Sequence, residues 1–164
     1  MTASLPQVSM QHHSELERHL DEMPAVGDLV GAAPADDLRP RVGESVAFLN
    51  DLLLPHMEAA EQTLYPELER MLQNRHSMSP MRREHGEIRE LIEELGRLQV
   101  TLEAGPLHMR ESIALRRVIF RLYAMLKVHL AEEQLYLGVL EHGVSPEAAD
   151  RLAAAMENSW AIAF

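Results

Sequence analysis

His129 and Glu133 stand four residues apart in the run KVHLAEEQLYLGVL, residues 127–140. On a helix that spacing puts an imidazole and a carboxylate on one face, about one turn apart. The same face carries Leu115, Val118, Leu122 and Leu126 before the pair, and Tyr136 and Leu140 after it. The pair therefore lies on the core side of its helix. Burying both groups without partners costs free energy. A metal ion shared with other helices would supply a partner. A His–Glu hydrogen bond in the core, or a partly solvated edge, is the other reading.

Three further histidines continue apolar stripes at helical spacing. His85 follows Met81 and precedes Ile88, Ile92 and Leu95. His56 ends the stripe Val42, Val46, Leu49, Leu53. His13 extends the stripe Leu16, Leu20, Met23 backwards, with His12 and His19 along its edge. His76, His108 and His142 read as surface or helix-end residues. Glu61 follows His56, as Glu133 follows His129. Four inward histidines, one on each of four helices, with two carboxylates behind two of them, form the donor set that a bundle core offers a metal such as iron. Four separately satisfied core histidines are the alternative.

The elements that must position these groups are long amphipathic helices. The first spans about 9–30, with Pro24 expected to kink it. GAAPADD, residues 31–37, breaks the pattern, and Asp36 or Asp37 is placed to cap the second helix, about 38–73. Pro55 and Pro66 fall inside that helix. Its early stripe does not line up with Glu61, Leu64, Leu68 and Leu72; the offset is roughly one residue at ~100° per residue. One inserted residue, as in a π-bulge, reconciles the two stripes; a helix broken near Pro55 is the rival explanation. Ser79–Pro80 starts the third helix and Ala104–Gly105–Pro106 ends it. The fourth runs from about His108 to Leu140. Ser145–Pro146 starts a short fifth to about Met156, after which Trp160 and Phe164 pack back on the bundle or fray. With almost no strand signal, the expected fold is an all-α, antiparallel four-helix bundle with a short C-terminal fifth helix. It forms one domain over residues 1–164, with the bundle at about 9–142 and the short helix and tail at 145–164.

With those residues in place, the chain resembles the hemerythrin-like (HHE cation-binding) family from about His12 to Leu140. The family pattern is a histidine, a His-x-x-x-Glu, a histidine and a second His-x-x-x-Glu on successive helices. HLAEE at 129–133 matches the last element, REHGEI around His85 the third, and LLPHMEAAEQTLYP at 53–66 the second. The resemblance implies two iron ions, oxo- or hydroxo-bridged, with His13, His56, Glu61, His85, His129 and Glu133 as metal ligands. It also implies a function in binding or processing dioxygen, peroxide or nitric oxide, or in sensing oxygen or iron. Three departures bear on it. The position four after His56 is Ala60, flanked by Glu58 and Glu61, and the stripe offset favours Glu61. Met81 and Arg89 stand one turn either side of His85, where well-known hemerythrins have a second histidine. The freed position is open, or is filled by Glu58, Glu132, water or a phenolate from Tyr65 or Tyr136. The helix-one ligand is one of His12, His13 and His19; Leu16 and Leu20 follow His13 at three and seven and favour it. Fewer neutral nitrogens and more anionic oxygens favour ferric iron. The expected function is therefore peroxide-dependent detoxification, catalase- or peroxidase-like. Reversible oxygen binding, or iron or oxygen sensing without turnover, is the alternative.

Composition bounds the rest. The 164 residues include nine histidines and no cysteine, which excludes disulfides and thiolate ligands. A net charge of −11 argues against nucleic acid or anionic lipid as partners. The first residues lack the pattern of a signal peptide, and no apolar run approaches the ~20 residues needed to span a membrane. The expectation is a cytoplasmic protein, a monomer or homodimer, whose partner is a small diatomic or peroxide ligand.

Overall fold

The structure is a computed structural model that describes residues 5–143 and 145–161, all its regular elements being helical. Helix α1 is Leu5–Leu20 and α2 is Met23–Leu29. The single kinked helix expected over 9–30 is thus two helices. Pro24 sits in the first turn of α2, where a missing N–H costs nothing. Gly31, at φ 83, then turns the chain. Helix α3 covers residues 35–71, α4 is Ser79–Ala104, α5 is Met109–Gly143 and α6 is Pro146–Ala161. Pro34, not an aspartate, occupies the N-cap of α3; Asp36 and Asp37 lie in its first turn, where they complement the helix dipole.

Helix α3 stays continuous through both prolines because it widens before each. The Leu54 N–H bonds the Leu49 carbonyl and the Tyr65 N–H bonds the Ala60 carbonyl, each five residues back. Pro55 and Pro66 follow directly. A proline clashes with the carbonyl four residues earlier, and a π turn shifts that carbonyl away. Each turn also inserts one residue and rotates all that follows.

Helices α3 and α4 pack together, α4 packs on α5, and α1 and α2 both pack on α5. Helix α6, at 16 residues no short appendage, lies against α1 and the 54–64 stretch of α3. The side chain of Trp160 and all of Phe164 lie outside the described residues. The core has two apolar clusters. One includes Leu20, Leu49, Leu53, Met57, Ile88, Leu126 and Leu130. The other includes Ala60, Leu64, Tyr65, Met81, Leu137 and Leu140. Leu72, expected on the inner stripe, is 43 % exposed because α3 ends at Met71 and the chain turns at Gln73, φ 51. Among the described residues, no helix is long and apolar enough to cross a membrane.

Candidate metal centre

His12, His13, His56, His85, His129 and Glu133 are all buried. They come from α1, α3, α4 and α5, four of the six helices among the described residues. The side chains form two groups that share one core.

The first group is His13, His56 and Glu133, each offering one donor atom, all within 4.8 Å of one another. The His56 Nε2–H donates to Glu133 Oε2 at 2.8 Å, and His13 Nε2 lies 3.5 Å from the same oxygen. The His13 Nδ1–H donates to Gln134 Oε1 at 3.2 Å, which leaves the Nε2 lone pair facing inward. His12 lies beside this group, its ring stacked on His56 with centroids 5.1 Å apart.

The second group is His85, His129 and Tyr65. The two imidazole Nε2 atoms stand 3.0 Å apart, and the Tyr65 hydroxyl, fully buried, lies 3.0 Å from His85 Nε2. Both outer nitrogens are held by carboxylates. His85 Nδ1–H donates to Glu61 Oε1 at 2.6 Å, and His129 Nδ1–H to Glu84 Oε2 at 3.1 Å. Arg89 donates to the same Glu61 oxygen at 2.9 Å.

Electrostatics follow from burial. Burial first, then the neighbouring His129, lowers His85 to about 4. Burial, then His56 and His13, lowers His12 to about 3. Burial, then the Glu133, Glu61 and Glu84 carboxylates, raises the Tyr65 phenol far above its ordinary value. Burial works against ionising Glu133, but His56 and His13 together bring its carboxyl well below the usual range.

This donor set fits a cation. Glu133 Oε1 and His13 Nε2 are buried with no hydrogen-bond partner among the described residues. Leaving such atoms unpaired is costly. His85 and His129, each donating outward to a carboxylate, turn two Nε2 lone pairs on each other, and at neutral pH His85 holds no second proton to place between them. Imidazoles, a carboxylate and a phenol are ligands that suit iron.

The structure gathers His13, His56, His85, His129 and Glu133 in one place and adds His12. Tyr65 reaches the cluster directly. Glu61 touches it through the outer nitrogen of His85, while Ala60 takes the inner position four after His56, 1 % exposed. The π turn begins at Ala60, so most of its rotation falls after Glu61 and brings Tyr65 inward instead. His19 stacks on Phe48, centroids 5.2 Å apart, away from the cluster. Glu58 is exposed and accepts from Gln62 at 3.1 Å. Glu132 and Tyr136 are half-buried and make none of the contacts that join the cluster among the described residues. His76 and His108 are exposed; the side chain of His142 lies outside the described residues. Sequence reasoning did not find Glu84 or Gln134. Each directly adjoins a residue it did find, His85 and Glu133, but their partners are on other helices.

The family model for the hemerythrin HHE cation-binding domain matches residues 7–140, and the chain belongs to that family. Comparison with curated proteins and with solved structures returned no match.

Proposed function

We propose that this protein is a non-heme diiron protein that processes a small ligand, hydrogen peroxide foremost, with nitric oxide and dioxygen as related ligands. His13, His56 and Glu133 would hold one ion; His85, His129 and Tyr65 the other. Glu133, whose Oε1 has no hydrogen bond, is the group the two would share. Glu61 could join the second ion only by leaving His85 Nδ1 and Arg89.

The observation that carries the peroxide reading is the Tyr65 hydroxyl at the inner nitrogen of His85. The phenol is neutral here; on giving up its proton to a bound ion it would supply a hard anionic oxygen where a second histidine of α4 would supply a neutral nitrogen, and such donors favour ferric over ferrous iron. Bound iron would supply the redox couple by which one peroxide is oxidised to dioxygen and another reduced to water. The protein's own contribution is positional. Gln134, Glu61 and Glu84 hold three imidazoles with Nε2 inward. Leu53, Met57, Leu64 and Met81 are buried in the two apolar clusters on either side and exclude bulk water. Glu61, partly exposed in a cleft with Glu58, Gln62 and Arg89, is the polar link from solvent to His85 Nδ1.

The test is anaerobic ferrous loading, oxidation and addition of peroxide. About two irons per chain are expected from a four-helix donor set, with a visible phenolate-to-iron band that Tyr65→Phe abolishes. Peroxide should release dioxygen from the native protein and not from His129→Ala. Well under one iron per chain would overturn the diiron reading. An air adduct that reverses under vacuum, with a ferric form inert to peroxide, would overturn the peroxide reading in favour of reversible oxygen binding.

A further inference from the structure

The imidazole of His85 has an oxygen of α3 at each of its nitrogens. The Tyr65 hydroxyl lies 3.0 Å from Nε2, on the inner side, and Glu61 Oε1 lies 2.6 Å from Nδ1, on the outer side. Acidity alone favours Glu61 as a ligand. A carboxylate is already an anion at neutral pH, whereas the phenol must give up a proton that burial helps it keep. Yet the phenol stands inside and the carboxylate outside. What holds Glu61 there is on α4. The His85 Nδ1–H and the Arg89 guanidinium both donate to Glu61 Oε1, at 2.6 and 2.9 Å. The two donors are four residues apart on one helix, so they lie on one face and close as a fork on a single oxygen. The bond from Arg89 is charge-assisted from both sides, the stronger kind. Glu58 and Glu93 line the same cleft. The guanidinium nevertheless goes to Glu61, while Glu58 accepts from Gln62 and Glu93 pairs with Arg97.

From this fork we infer that Arg89 selects the anionic ligand of the second ion: by pinning Glu61 to the outer nitrogen of His85, it leaves the inner place to Tyr65. The inference rests on the reading that Tyr65 meets that ion. Arg89 itself touches neither the ion nor the small ligand; it is a positioning residue that acts through Glu61. Without the guanidinium, Glu61 is held by the His85 N–H alone. Its side chain is 28 % exposed in the cleft, so it has room to turn from that bond to the ion, and water from the cleft takes its place at Nδ1. The phenol then keeps its proton. The second ion exchanges a phenolate for a carboxylate while the imidazoles and the iron count stay the same.

The experiment records the visible spectrum and the iron content of the diferric protein, for the native chain and three variants. The native protein should show the phenolate-to-iron band. Arg89→Met should lose the band although Tyr65 is still in the chain, and should keep about two irons per chain. The Arg89 side chain is 40 % exposed, so the helical circular dichroism should not change. Arg89→Lys keeps a charged donor and should retain the band. Arg89→Met combined with Glu61→Gln should regain it, because the amide still accepts from His85 Nδ1–H but is a poor rival for iron. With the band present in the native protein, an Arg89→Met variant that keeps the band, or that loses its iron with it, would overturn the role of Arg89 and leave the phenolate reading standing. A double variant that stays without the band would overturn it equally, since the rival would then not be Glu61. A native protein without the band would remove the phenolate reading and this inference with it.

Discussion

Glu133→Gln separates the stability of the bundle from its capacity for metal. Glu133 is 0 % exposed. In the metal-free protein Oε2 accepts from His56 at 2.8 Å, and Oε1 has no hydrogen bond among the described residues. Glutamine keeps an oxygen for His56 and adds an amide donor beside the unpaired Nε2 of His13. The change trades a charge-assisted hydrogen bond for a neutral one, a loss of about 1 kcal/mol. His56 and His13 hold the Glu133 carboxyl well below its usual range in spite of burial, so the ionised group is net favourable in the fold and the loss is not recovered. The metal-free variant should therefore melt modestly below the native protein, by about 2–4 °C. Metal widens the gap. Ferrous iron at about 100 times its dissociation constant stabilises the native fold by about 2.7 kcal/mol. For a chain of this size that raises the melting temperature by about 5–10 °C. Glutamine cannot serve as the shared anionic donor, so the metal-induced rise should vanish. The assay is a pair of anaerobic thermal melts, with and without ferrous iron, for each protein. A metal-free variant that melts about 10 °C or more below native would mean that the carboxylate is a structural prop. A variant that keeps the full metal-induced rise would mean that Glu133 is no ligand.

Glu84→Leu should weaken metal binding by about 10–100-fold, the usual effect of losing a carboxylate that orients a ligating histidine, while leaving the helix content unchanged; titration calorimetry of the metal-free protein with ferrous iron reads it. His85→Ala should abolish the metal-induced rise in melting temperature and His108→Ala should leave it intact, because only the first is buried among donors; equal effects would mean that the histidines are wrongly divided. Stability of the metal-free protein should fall as pH drops. His12 and His85 have folded values near 3 and 4 against an ordinary 6.5, so the unfolded chain binds protons first. Their contribution is complete above pH 6.5 and is lost as the pH falls from there to about 4 for His85 and about 3 for His12, at up to about 1.4 kcal/mol per pH unit for each histidine. A flat urea midpoint from pH 7 to 5 would refute it.

The inward histidines were legible because a helix of 3.6 residues per turn writes its buried face into the sequence. His56, His85 and His129 continue runs of leucine, isoleucine and valine, and all three are 0 % exposed. Choosing among His12, His13 and His19 was harder, since three positions border one narrow stripe. The structure buries two of them and sends His19 to Phe48. Contacts between helices were not legible at all. Glu84 and Gln134 look like ordinary solvated neighbours of a ligand, and only the crossing of α4 with α5, and of α1 with α5, gives them imidazoles to hold. The break at residues 21–22 was missed because the apolar stripe runs on through Met23 and hides it.

The offset in α3 was legible as a misfit, but its consequence was not. It pointed to Glu61 as the residue turned inward, on the assumption that the inserted residue precedes it. The bond from Tyr65 to Ala60 puts the insertion around and after Glu61. Pro66 dictates that place, since the widened turn must lie just ahead of the proline it accommodates. The same turn therefore has two effects on the donor set. It leaves Ala60, without a carboxylate, at the inner position four after His56, and it carries Tyr65, nine after His56, to 3.0 Å from His85. The missing acid and the added phenol have one backbone cause, and a chain with Glu at 60 and a regular helix would present a different pair of ligands from the same face.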